Sequence, residues 1–171
     1  MAAKSFMLVS VAMLAACGST NSDEGGATQR QQIGQVWKYE AKTDPATGKA
    51  TPLAYLGSAN SVKTMTAPDT FAVILLQKMR NGETGVTVKA VGAPFTCDLS
   101  SCAVEASMDG GAPKKWQGRM TETKDGISIP PPQNAFEAIR DSKSVKVKID
   151  LGTEGAQEFT FNTAGFAWPK P

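Results

Sequence analysis

Histidine is absent from all 171 residues. Its absence removes the Ser-His-Asp and Cys-His nucleophile systems and nearly every zinc site with nitrogen ligands. Charge of one sign is also missing: 18 Lys and Arg stand against 16 Asp and Glu, a formal net charge of +2. So small and mixed a charge makes no basic face for phosphate backbones, so no nucleic-acid partner is expected. Long apolar runs are lacking too. The longest near the start, residues 6–16, has 11 residues including one Ser, and spanning a bilayer takes about 20. Cysteine is limited to three, and aromatics make up 7% of the chain.

What is present begins with a signal. Lys4 precedes the apolar run Phe6 to Ala16, which is built mainly of Phe, Met, Leu, Val and Ala. A short charged start followed by an h-region of this length has the form of a secretory signal peptide over residues 1–16. The run ends in Leu14-Ala15-Ala16-Cys17, followed by Gly18-Ser19. This segment resembles the lipobox of bacterial lipoproteins. The resemblance implies cleavage before Cys17, a diacylglyceryl thioether on its thiol and a further acyl chain, typically palmitate, on its amine. Two or three acyl chains, at about 0.8 kcal/mol per buried methylene, hold a protein firmly to a bilayer. No other cofactor is expected. In the same family an aspartate after the cysteine favours inner-membrane retention, and Gly18 stands there. The resemblance therefore implies the outer membrane, with the domain facing the periplasm.

Residues 18–34 carry one apolar side chain larger than Ala in 17 positions. Such a segment buries too little surface to offset the entropy of ordering, so 17–34 is expected to be a lipidated cysteine with a flexible tether. The remainder, 35–171, is long enough to bury about two thirds of its surface around one core.

Period-two alternation dominates that remainder. Val145, Val147, Ile149 and Leu151 alternate with Lys146, Lys148 and Asp150, the pattern of a strand with one wet face. Phe159 and Phe161 alternate with polar residues after the turn-forming Gly152 to Gly155, so a hairpin is expected. Residues 70–79 are apolar on both parities, which fits a central strand, and 86–90 alternate again after a Gly-rich turn. Further strands are expected around 36–40, 53–58, 103–108, 115–121 and 127–129. Helical spacing occurs once, at 133–141 after Pro130-Pro131-Pro132. The expected fold is mainly β: an antiparallel β-sandwich or partly closed barrel with one short helix near 133–141.

Cys97 and Cys102 have four residues between them. With Cys17 lipidated in an exported chain, they form an even remainder, and a structural disulfide is expected. The spacing is not Cys-x-x-Cys, and no histidine completes a zinc site, so no metal is expected. Asp109, Glu122 and Asp125 lie close in sequence, but each sits in a turn-like polar stretch, where a carboxylate forms turns far more often than it catalyses. Lys114, Lys115, Trp116 and Arg119 form a basic and aromatic cluster that could meet an anionic glycan, a lipid headgroup or an acidic partner. The competing reading is a strand with Trp116, Gly118 and Met120 inward and Lys115, Gln117 and Arg119 in solvent. Phe166 and Trp168, near the C-terminus, serve either as core closure or as a partner surface.

Trp37, Ser58 to Asn60, the apolar strand, the close cysteine pair, the late helix and the closing Gly165-Phe-Ala-Trp168 are loosely similar to small uncharacterised β-rich exported proteins of proteobacteria. That similarity implies an envelope protein and transfers no active residues. The expected function is a membrane-anchored envelope lipoprotein with a non-enzymatic binding domain, accessory to or excluding another envelope component. An inhibitor or ligand carrier with a cleft, and a small envelope-polymer enzyme using carboxylates or a Ser-Lys pair, are the alternatives.

Overall fold

The computed structural model describes residues 30–43, 48–79, 81–95, 97 and 102–168. The signal segment and Cys17 lie outside them. Nine antiparallel strands form one sheet: β1 (Lys38–Thr43), β2 (Ala50–Gly57), β3 (Phe71–Lys78), β4 (Thr84–Val91), β5 (Cys102–Met108), β6 (Lys114–Met120), β7 (Gly126–Ile129), β8 (Ser144–Asp150) and β9 (Ala156–Asn162). A seven-residue helix, α1 (Ala135–Asp141), precedes β8. The spatial order is β1-β2-β3-β4-β7-β6-β5-β8-β9. The fold is mainly β as expected, but as a single sheet that does not close into a barrel.

Alternation in sequence becomes rows on the sheet. Ala54, Leu76, Val86 and Ile129 face one another across β2, β3, β4 and β7, all essentially without solvent contact. Ala106, Val147 and Phe159 do the same across β5, β8 and β9. Both sets belong to one contiguous core. The two halves meet at β6, whose Lys114 to Gly118 pair with β5 while Arg119 and Met120 pair with β7. The sheet folds over at this strand, bringing the inner faces together.

β3 is apolar on both parities for a reason outside the sheet. Ala72, Ile74 and Leu76 belong to the core, whereas Phe71 and Val73 are buried on the other face. Residues 30–33 form a helical turn that places the Arg30 guanidinium 6.0 Å from the Phe71 ring centre. Arg30 also donates to Asp69 at 2.8 Å and to the Ala59 carbonyl at 2.9 Å. Gly57 permits this seating: a Cβ there would lie 2.5 Å from the Gly34 oxygen, which instead accepts the Gly57 N–H at 3.0 Å. The sequence places residues 30–34 in the tether; in the structure Arg30 and Gly34 bond to the domain, with the Arg30 guanidinium against the Phe71 ring on the face of β3 away from the core.

The outer edge of β9 is blunted by Asn60. Its side-chain amide donates to the Glu158 carbonyl at 2.8 Å, and its carbonyl accepts the Thr160 N–H at 2.7 Å, imitating a strand neighbour. The Ala59 N–H adds a bond to the Thr160 carbonyl. Unpaired edges invite association, and this amide closes part of one. Asn60→Ala is expected to lower the unfolding free energy by about 1–2 kcal/mol, since two bonded backbone groups lose their partner. Urea denaturation checks this; a change within about 0.3 kcal/mol would show that water replaces the amide without cost.

Candidate functional site

On β6 burial falls on Trp116 and Gly118. Lys114, Lys115, Gln117 and Arg119 are exposed, Gly118 is buried, and Trp116 is 3% exposed within the core. Trp116 therefore does not belong to a partner surface with Lys114, Lys115 and Arg119: strand parity sends its indole inward, opposite Val104. Cys97 and Cys102 are paired in a disulfide with a Cα separation of 5.3 Å, and Cys102 is fully buried at the start of β5. Closing so short a loop restricts the unfolded chain by about 2 kcal/mol in the loop-entropy account.

Two of the three carboxylates that lie near one another in sequence serve local structure. Asp109, at φ +49°, accepts the N–H groups of Lys143 and Ser144, each at 2.9 Å, and pins the entry to β8. Asp125 accepts from Lys89 and from the hydroxyls of Thr121 and Thr123. Glu122 is exposed in the same turn. Among the described residues no group of three or more Cys, Asp or Glu side chains is arranged to hold a metal ion. The buried hydroxyl of Ser58 donates to the Asn60 carbonyl, and that of Ser142 to the Ile139 carbonyl.

Partial burial pushes the Asp125 carboxyl up, but hydrogen bonds from Lys89, Thr123 and Thr121 and the Lys89 charge outweigh it and hold the group at about 2. A carboxyl lowered on folding stabilises the native state above its unfolded value, and that contribution fades as pH falls from about 4 through about 2. Because the Asp125 side chain is 43% exposed, the contribution is expected to stay below about 1 kcal/mol. Asp125→Asn should melt earlier than the parent at pH 7 and converge with it near pH 2. A difference that persists unchanged in acid would assign the effect to packing.

Aromatic residues distant in sequence converge where the two ends of the sheet approach each other. Phe166 is the hub: its ring centre lies 4.9 Å from Trp37, 5.3 Å from Trp168, 5.9 Å from Phe136 and 6.2 Å from Tyr39. The Trp37 indole donates to the Thr163 carbonyl at 2.9 Å, and the Ala167 N–H donates to the Tyr39 hydroxyl at 3.0 Å. The segment after β9 is thereby fastened to β1. Phe166 and Trp168 are half-buried, so most of their surface seals this seam.

Beside the seam lies a cleft of about 290 Å³. Buried Val86 and Ile129 contribute to its wall, together with Pro130 to Pro132 and Phe136, and Lys78, Glu83 and Glu137 add charge. Lys78 and Phe136 link cleft to seam: the ammonium is 5.8 Å from the Trp168 ring centre, and Phe136 tilts against Trp168 at 6.5 Å. Gln133 holds the proline segment in place, its side-chain amide exchanging two hydrogen bonds with the Gln117 backbone on β6. The cleft sits at the β3–β4 turn. Arg30 sits at the other end of β3, about 23 Å away at a strand's usual rise. Apolar walls edged with both signs of charge suit an extended, partly apolar ligand or a protein segment. Neither the cleft nor the seam is legible in sequence, because their parts come from five separate stretches.

No protein-family model matches the chain, and no curated protein sequence matches it. Among solved structures, invasion associated protein B from Bartonella henselae is similar at 15% sequence identity with a TM-score of 0.49. The match covers 77% of this chain and 87% of that one.

Proposed function

We propose that the chain is a lipid-anchored envelope protein whose β domain is a non-enzymatic binding module, accessory to or excluding another envelope component. The lipobox-like Leu14-Ala15-Ala16-Cys17 carries this reading. A lipidated Cys17, followed by a polar stretch, would leave the domain attached through Arg30 at one end of β3. The cleft at the other end would then be presented away from the membrane that holds the lipid. The protein partner would be met through Lys78, Phe136 and Glu137. The cleft also keeps the carrier reading in play, since its volume is near the lower end for small-molecule sites.

Two measurements test the proposal. Cys17→Ser is expected to leave the domain folded and release it from sedimented membranes; retention of that variant would defeat the anchor. A photoreactive residue in place of exposed Glu137 is expected to crosslink one envelope protein in intact cells. The same residue at Lys148, on the wet face of β8, is not. Equal labelling from both positions would remove the cleft as the contact surface, and recovery of a small molecule in place of a protein would favour the carrier.

A further inference from the structure

The loop between β2 and β3 has a construction that the binding reading does not use. Val62 and Thr70 pair across its base, and the Thr64 hydroxyl, 2.8 Å from that of Thr70, accepts the Ala67 N–H. Three outside elements brace it: Thr66 donates to the Gly92 carbonyl after β4, Glu154 accepts the Met65 N–H at 2.6 Å, and Arg30 holds Asp69. The bracing presents an apolar tip. Met65 is 82% exposed, beside exposed Lys63. Val36, 68% exposed, follows the same N-terminal segment that Arg30 begins. Among the described residues, two of the three exposed large apolar side chains therefore stand near the point where the chain from Cys17 arrives. A single exposed apolar residue is ordinary; a braced one with a lysine beside it at the attachment point calls for a surface to meet.

We propose that this loop docks the domain on the bilayer that carries its lipid, with Met65 entering the interfacial region and Lys63 meeting anionic headgroups. The proposal rests on the lipid-anchor reading. Cys17 stands thirteen positions before Arg30, at most about 45 Å of chain, so the lipid is joined to the domain at the end bearing Arg30 and Asp69, and the loop contact is what would keep that end against the membrane. Tethering raises the local concentration of the surface, so that a contact too weak to recruit a free domain is populated once the lipid is inserted. The consequence is a preferred orientation, with the β3–β4 turn and its cleft pointing outward.

The test uses the mature lipidated protein in vesicles of phosphatidylethanolamine and phosphatidylglycerol. Nitroxide labels are placed singly at Met65→Cys and at Asn81→Cys, the second in the exposed β3–β4 turn. Both sites are exposed, so folding is expected to survive, and circular dichroism confirms it. The label at 65 is expected to gain accessibility to oxygen and lose accessibility to a nickel chelate on vesicle addition, by several-fold, while the label at 81 stays as in water. Flotation with the vesicles, with both labels equally aqueous or equally buried, would overturn the docking and leave the anchor standing. Failure to float would overturn the anchor and the docking with it.

Discussion

Phe159→Ala is expected to cost about 3–5 kcal/mol, the range for removing a fully buried phenyl ring from a core that cannot collapse around the gap. Phe159 has no solvent exposure, and its cross-strand partner Val147 and the next partner Ala106 are equally dry. The row is bounded by backbone on β5, β8 and β9, so neighbouring side chains cannot move far enough to fill the space. Domains of this size are stable by about 5–15 kcal/mol. The loss is therefore expected as a fall in melting temperature of about 10–15 °C and as a lower urea midpoint. Glu158→Ala, one residue away on the wet face, provides the contrast. Glu158 pairs with Lys146 at 2.9 Å with both side chains about half exposed, and its loss is expected to cost less than about 1 kcal/mol. Equal effects at 158 and 159 would show that the strand is not oriented as described.

Gly118→Ala is expected to cost about 3 kcal/mol although it adds only a methyl group. An added Cβ would stand 2.4 Å from Cγ2 of Ile127 and 2.8 Å from the Ser128 carbonyl oxygen. Ile127 is itself 2% exposed and cannot swing into solvent, and the Ser128 carbonyl is backbone. Relief requires β6 and β7 to separate where Arg119 with Ser128, Met120 with Ile127 and the bond from the Thr121 N–H to the Gly126 carbonyl join the two strands. Overpacking of this kind sits at the upper end of its usual range, and glycine in a strand commonly marks such a close approach. A double-mutant cycle isolates the cause. Ile127→Ala in the Gly118→Ala background should be less destabilised than the sum of the single changes, by more than about 0.5 kcal/mol. Strict additivity, or a Gly118→Ala protein as stable as its parent, would place the bend elsewhere.

How much of this was legible depends on how local the information is. Val145, Val147 and Ile149 against Lys146 and Lys148 predict which side chains of β8 are buried, and the structure agrees residue by residue. Gly152 to Gly155 predicts the turn, and β8 pairs with β9 in register from Ser144 with Asn162 to Asp150 with Ala156. The tri-proline stop followed by Phe136 and Ile139 predicts a helix, found as Ala135–Asp141. Each of these rests on neighbours within a few positions. β1 and β2 run past the bounds expected for them, to Thr43 and from Ala50, because pairing with each other supports residues of weak strand pattern.

Asn60 shows where local pattern stops. Its neighbours mark it as a loop residue, yet its amide caps a strand edge about a hundred residues later. Trp116 was open to two readings, and parity in a packed sheet decided for the core. Phe166 and Trp168, likewise open, are half-buried in the seam: Phe166 meets rings at 37, 39 and 136, and Trp168 meets Phe136 and Phe166, an arrangement that depends on residues distant in sequence.

The chain by itself thus determines what depends on near neighbours: strand alternation, the hairpin, the helix before β8, the close cysteine pair and a polar stretch after a lipobox-like segment. Only the tertiary structure decides that β4 pairs with β7 and β5 with β8, that Gly118 lies where the sheet folds over, that Arg30 and Gly34 bond to the domain, and that the cleft and the Met65 loop stand at opposite ends of β3. The division has a physical cause. Alternation follows from the two-residue period of one extended strand, whereas strand order and edge closure follow from which apolar faces can exclude water together, and that depends on the whole chain at once.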